Sequence, residues 1–270
     1  MSDVVRRYYD KSVELEWDRL ASAYRRFEFE STCRLIDEHF PKGGRIADVG
    51  GGPGRYAIEL ARRGYRVSLV DLSERAIAFA KERFEELGLT AETFARADAR
   101  DLSHFDTSSF DAGLLLGPLY HLVDNANRCT ALEEFRRVLK PGAPGIVGFI
   151  NPWGILRSGL EEFPDLYADR ARAEELLGTT LLVGERPVFT EAAFITPPQA
   201  LSELREAGFA IEARAGVEGF ASGMLNQIAR IAEEDPAAYE NILRLAVKTC
   251  AMPAFRDCTE HLHVIVRSLE

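Results

Sequence analysis

Residues 46–54 read IADVGGGPG, an apolar run holding one aspartate, followed by four glycines with a proline among them. Neither a helix interior nor a strand interior tolerates glycine at that density, so the segment must be a strand ending in a sharp turn. In an α/β chain such a turn leads into a helix. Backbone N–H groups and the helix N-terminus then face one end of a parallel sheet, where nucleotide-like ligands bind.

The rest of the chain supplies that sheet. The spacing predicts strands over 45–49, 65–70, 91–97, 110–116 and 145–150. Helices alternate with them over 56–63, from Ser73 to about Leu87, and over 127–139. Ser73 is placed to cap its helix, and Gly64 and Gly88 read as left-handed stops. FDAGLLL at 110–116 is too continuously apolar for a half-exposed strand and suits one buried on both faces. The expected fold class is therefore α/β, a Rossmann-like, doubly wound, mostly parallel sheet.

Residues 4–40 read as helical, with Leu15, Leu20, Tyr24 and Phe27 recurring between charged residues until Pro41-Lys42-Gly43-Gly44. The alternation of strands and helices breaks over 152–196, where Trp153, Phe163, Tyr167, Phe189 and Phe194 fall among helix breakers. Order resumes with a helix from Pro197 to Ala207 and a strand over 209–215. Two more helices follow, the second opened by Asp235-Pro236, and HLHVIVRSL reads as a last strand. We read residues 1–40 as a helical lid, 41–151 as the ligand-binding core, 152–196 as an inserted cap, and 197–270 as the remainder of the sheet with added helices.

Composition narrows the partners. With 43 acidic and 33 basic residues the formal charge is −10, which disfavours nucleic acid. No stretch of 18 uncharged apolar residues occurs and the start, MSDVVRRYYD, has no apolar signal segment, so no membrane partner and a cytoplasmic location are expected. Cys33, Cys129, Cys250 and Cys258 form no C-x-x-C pair and read as reduced thiols.

Gly52-x-Gly54-x-x-Ala57 meets the loose dinucleotide pattern, but two residues oppose a diphosphate. Pro53 removes a backbone donor from the turn, and Asp48 would put a carboxylate beside the anion. A ligand carrying a sulfonium and an ammonium reverses the sign, and the turn then suits S-adenosylmethionine better than NAD. Asp71, 19 residues after Gly52, ends the second strand where a carboxylate can accept two ribose hydroxyls. Asp98, after the third strand, can meet an adenine amino edge. All three could instead be helix caps or Asx turns.

With DVGGGPG, VDLS at 70–73, ADA at 97–99, FDAGLLLGPLYHL at 110–122 and RVLKPG at 137–142, the chain resembles the class I S-adenosylmethionine-dependent methyltransferases. GPLYHL and Val217-Glu218-Gly219 further resemble a bacterial branch acting mostly on small molecules. The resemblance implies a seven-stranded sheet whose last strand is antiparallel. It implies Gly50, Gly52 and Gly54 around the methionine moiety, Asp71 on the ribose, and Leu72, Asp98 and Ala99 around adenine.

Methyl transfer is an in-line displacement that needs alignment, exclusion of water and, for some acceptors, removal of a proton. No metal is required. Gly117 permits close backbone approach beside the methyl position, and His121 has the intrinsic range of a base, though it equally suits a packing role against the loop. Tyr120 and Glu218 complete the catalytic candidates, Glu218 as a group orienting an amine or hydroxyl. Tyr8, Tyr9 and Trp17 are lid candidates, and the aromatics of 152–196 could line a pocket for a small acceptor. Asn151-Pro152-Trp153 is not the N-P-P-aromatic motif of nucleic-acid amino methyltransferases, because it follows the fifth strand. Another use of the same cofactor, such as cyclisation of its aminocarboxypropyl arm, remains compatible with these residues. So does cofactor binding without catalysis.

Overall fold

In the computed structural model, which describes residues 3–183 and 190–269, three helices precede the sheet: α1 Asp3–Lys11, α2 Val13–Arg19 and α3 Arg26–His39. The expected helical run is thus broken at Ser12 and over 20–25. Leu20, Tyr24 and Phe27 are buried, but Leu15 faces solvent.

Then come β1 Arg45–Val49, α4 Arg55–Arg62, β2 Arg66–Asp71, α5 Glu74–Glu86, β3 Thr93–Arg96, β4 Ala112–Leu115, α6 Asn125–Val138 and β5 Pro144–Ile150. The 152–196 segment forms α7 Pro152–Glu162, α8 Arg170–Glu175 and two short strands, β6 Thr180–Leu182 and β7 Ala192–Phe194. The chain closes with α9 Pro197–Glu206, β8 Phe209–Gly216, α10 Leu225–Glu234, α11 Pro236–Thr249, α12 Pro253–Arg256 and β9 His261–Ser268.

Strands β3-β2-β1-β4-β5 pair in parallel in that order, and β9 runs antiparallel between β5 and β8. This is the expected mostly parallel sheet with its last strand reversed. β6 and β7 add to the seven strands. Ile150 pairs with His261 on one side and with Phe194 on the other, while β4 leaves β5 after Leu115–Val147. Past the end of β4, therefore, β7 takes its place beside β5 and carries the inserted segment over the carboxyl ends of the strands.

Period-two alternation sends the strand residues to two cores. Val49, Leu115, Phe149 and Val264 join Phe135 of α6 and Leu204 of α9 on one face. Ile46, Leu69, Leu114 and Ile265 join Leu60 of α4, Phe84 of α5 and Ile36 of α3 on the other. Both faces of β4 are buried, which is why its sequence is uniformly apolar. A third cluster, with Phe27, Ile228, Tyr239 and Leu243, packs α10 and α11 against α3.

Candidate functional site

The glycine turn sits at the carboxyl end of β1. Gly50 has φ +75°, and a Cβ there would lie 2.4 Å from Pro118, so the turn touches the 117–122 loop only because the residue is glycine. Gly117 approaches from the other side, where a Cβ would stand 3.3 Å from Gly50 O. Gly54 does not border the cleft. Its φ of +87° starts α4, and it seats that helix on Leu69 and Ala80.

The cleft around the turn is lined by Asp48, Gly50, Gly52, Asp71, Leu72, Ala99 and Gly117, with Ala97 and Leu116. Asp71 accepts from Gly52 N at 2.9 Å with one oxygen and from Ser73 N at 2.8 Å with the other, tying the first two crossovers together. Asp48 is buried, and its Oδ2 has no partner among the described residues. Burial, then the nearby Asp71, pushes the Asp48 carboxyl up to about 7. Burial likewise pushes Asp71 up to about 6, against the two backbone donors. Two carboxyls that resist ionisation in one cleft, one with an orphaned oxygen, suit a cationic ligand and oppose a diphosphate.

Asp98 differs from the reading of the sequence. Its carboxylate accepts from Arg100 N, Nε and Nη2 at 2.8–3.1 Å, while Ala97 and Ala99 on either side border the cleft. Asp98 is thus held at the rim.

α1 and α2 lie across the cleft. Ser73 Oγ donates to Asp10 Oδ1 at 2.6 Å, and Arg75 meets Glu14 at 2.7 Å. Tyr9 borders the cleft and Tyr8 the cavity beyond it. Trp17 borders neither and packs between Arg55 and Phe79.

Beyond the cleft lies a second cavity of about 710 Å³, roofed by α7, α8, β6 and β7. Tyr9, Glu16, Arg19 and Tyr120 border both spaces and mark their junction. Of the aromatics singled out in 152–196, Phe163 and Phe194 line the cavity. Tyr167 instead bonds Leu156 O, Trp153 Nε1 bonds Leu177 O, and Phe189 lies outside the described residues. Asn151 caps α7 at Trp153 N, a structural role for that motif.

His121 is buried at the cleft wall. Its Nδ1 faces Glu191 O at 2.8 Å, and since a carbonyl only accepts, Nδ1 carries the proton. Nε2 then accepts from Tyr9 Oη at 2.6 Å. Burial pushes the imidazole down to about 4, so it stays uncharged at neutral pH and is a weak base. Tyr120, raised by burial, stays a neutral hydroxyl.

Glu218 lies behind the cavity, fully buried. It holds His261, accepting from its Nδ1 at 2.6 Å and its N at 3.2 Å. His261 itself lines the cavity. Burial opposes its charge, but Glu218 and Glu28 outweigh that and raise its pKa. The donor atoms of Glu28, Glu218 and His261 lie within 4.8 Å of one another, and Arg19 pairs with Glu28 at 2.8 Å. Arg25 meets Glu260 at 2.9 Å, and Tyr24 donates to the same carboxylate.

Sequence reasoning missed Glu16, Arg19, Arg25 and His261. The usable signal was His261 and His263, two residues apart and so on one face of an otherwise apolar strand.

Comparison with known proteins agrees with this architecture. Residues 46–142 match a family described as a methyltransferase domain. The chain is 28% identical over 238 residues to the tRNA 5-carboxymethoxyuridine methyltransferase of Escherichia coli strain K12, covering 87% of this chain and 84% of that one. Among solved structures, a 1,6-didemethyltoxoflavin N1-methyltransferase from Burkholderia thailandensis, with 1,6-didemethyltoxoflavin and S-adenosylhomocysteine bound, superposes with a TM-score of 0.60 at 16% identity, over 99% of this chain and 88% of that one. The (4+2) cyclase SpnF does so at 0.55 and 20%, over 89% and 80%.

Proposed function

Since the chain is an S-adenosylmethionine-dependent methyltransferase of the class I fold, we propose that it methylates a small organic acceptor held in the cavity under residues 152–196. The observation that carries this is the junction: four side chains border both the cofactor cleft and a partly open space of about 710 Å³, the size of a small-molecule pocket. The relative that acts on tRNA favours a second reading, an RNA base entering that cavity. A net charge of −10 weighs against it, because an RNA duplex or loop needs a basic footprint.

The cofactor supplies an activated methyl group and leaves as S-adenosylhomocysteine. Gly50, Gly52 and Gly117 would let the backbone approach it, Asp48 would face its cationic end, Asp71 its ribose, and Leu72 and Ala99 its adenine. Tyr9, Tyr120 and Arg19 would orient the acceptor at the junction and exclude water. His261, oriented by Glu218, would accept the acceptor's proton in its neutral form, which its raised pKa shifts to higher pH, and His121 would position Tyr9. The support for this division is that His261 opens on the cavity while His121 is spent on Tyr9 and Glu191. The test is mass analysis after incubation with S-adenosylmethionine and panels of small metabolites and of tRNA. S-adenosylhomocysteine formed with a small acceptor, and lost in His261→Ala, is the expected result. Transfer to tRNA alone overturns the proposal, and methylthioadenosine would reveal cyclisation instead.

The cleft also sets a pH dependence. Asp48 and Asp71 titrate above the ordinary carboxylate value. Without ligand their contribution to stability is full below the unfolded carboxylate pKa, and it is lost as pH rises through about 6 and 7. A bound cation reverses that. S-adenosylmethionine affinity, measured by calorimetry, should rise up to about a hundredfold per pH unit below pH 6, where both carboxyls must ionise, about tenfold per unit from there to neutrality, and then level off. Affinity that is flat from pH 5 to pH 8 would exclude the two carboxylates as its partners.

A further inference from the structure

We propose that the acceptor carries an ammonium group, seated on one face of α7 between Glu162 and Ser158. This rests on the reading of the cavity as a small-molecule site and names the chemistry that it selects. Ile155, Ser158 and Glu162 follow helical spacing and all border the cavity, but none borders the cofactor cleft, so they recognise the acceptor away from the point of transfer.

Two polar atoms on this face have no partner among the described residues. Ser158 is 1% exposed and its Oγ makes no hydrogen bond. Glu162 Oε1, one turn later, is buried without a donor, while Oε2 stands 3.9 Å from Arg25. Buried polar atoms in folded proteins are almost always paired, so an unpaired serine hydroxyl and carboxylate oxygen on residues that border a cavity ask for a donor, which a small turn of either side chain would let an occupant supply.

Charge decides what kind of donor. The guanidiniums deep in the cavity are already matched, Arg19 by Glu28 at 2.8 Å and Glu16 at 3.1 Å, and Arg25 by Glu260 at 2.9 Å. His261 is matched by Glu218 at 2.6 Å. Among the described residues Arg172 of α8, exposed and in no ion pair, also borders the cavity, so an anionic acceptor would find a spare cation only on its exposed side. A cationic one would find an unsatisfied carboxylate oxygen, with the rings of Tyr8, Phe163 and Phe194 bordering the same space for cation–π contact. Burial, then Glu260, raises the pKa of Glu162, and Arg25 only partly offsets them. A cation in contact would stabilise the ionised form and complete the ion pair. An ammonium has three N–H donors, which suffice for Glu162 Oε1, Ser158 Oγ and a third acceptor.

The test uses protein loaded with S-adenosylhomocysteine and three probes of nearly one shape: 2-phenylethylamine, 2-phenylethanol and 3-phenylpropionate. By calorimetry the amine should bind about tenfold tighter than the alcohol, with the carboxylate weakest. Glu162→Gln should erase the preference for the amine, and Ser158→Ala should reduce it. Both variants should keep wild-type affinity for S-adenosylhomocysteine, which shows that they fold. Equal binding of the three probes, a preference for the carboxylate, binding of none, or a preference that survives Glu162→Gln would each overturn the inference. Methyl transfer to an anionic or neutral small acceptor, with no amine preference, would overturn it while leaving the proposed function intact. Transfer to tRNA alone would remove the proposed function itself.

Discussion

Asp71→Ala should weaken S-adenosylhomocysteine binding by at least about a hundredfold in calorimetry, since hydrogen bonds to a charged group contribute about 1.5–3 kcal/mol each. The carboxylate stands at the end of β2 between two backbone donors, Gly52 N and Ser73 N. Removing it takes away the acceptor proposed for the ribose and also frees the glycine turn from the second crossover. The loss should not come from unfolding. Asp71 is pushed up to about 6 mainly by burial, so its charge is a burden on the unliganded fold. Asp71→Asn keeps one of the two acceptors and sets its amide against the other donor, so it should melt somewhat below wild type at pH 8 yet still cooperatively, while losing the stabilisation that ligand confers. Binding within about threefold of wild type in Asp71→Ala would remove Asp71 from the cofactor's contacts.

The largest effect on stability should come from Arg128→Leu, at about 3–5 kcal/mol in urea unfolding. Arg128 and Glu203 are buried and face each other in a two-pronged pair, Nε to Oε2 at 3.0 Å and Nη2 to Oε1 at 2.7 Å. The guanidinium also donates to Leu122 O at 2.8 Å and Val123 O at 3.1 Å. It thereby fastens the loop that bears Tyr120 and His121 to α6 and α9. Leucine would leave the buried Glu203 carboxyl without its counter-charge, beside two carbonyls that lose a donor. Adding Glu203→Leu should recover a good part of the loss, because the cost lies in the stranded charge more than in the missing contact. A cost below about 1 kcal/mol for Arg128→Leu would show that water reaches the pair.

The parts of the molecule that were legible in its sequence obey local rules. Period-two alternation marked the strands, and Gly64 and Gly88, both at positive φ, ended their helices as expected. Ser73 and Asp124 cap α5 and α6, but only Ser73 was noticed beforehand. Gly54 matched a binding fingerprint yet serves helix packing, since a glycine pattern does not distinguish approach to a ligand from approach to a neighbouring side chain. Asp98 was read as meeting adenine because the sequence could not show that Arg100 would fold back on it. The acceptor side was hidden for a different reason. Arg25 and Glu260 meet across 235 positions, and His261 reaches Glu218 across 43. Such pairs are made by topology, and no periodicity within one segment announces them.

The junction of β5 and β7 has a bearing on local opening. Among the described residues the inserted segment pairs with β5 at one position, Ile150 with Phe194, whereas β5 and β9 are paired along seven. The roof of the cavity is therefore tied to the sheet by fewer strand pairings than β9 is, and its amides should exchange before those of β9.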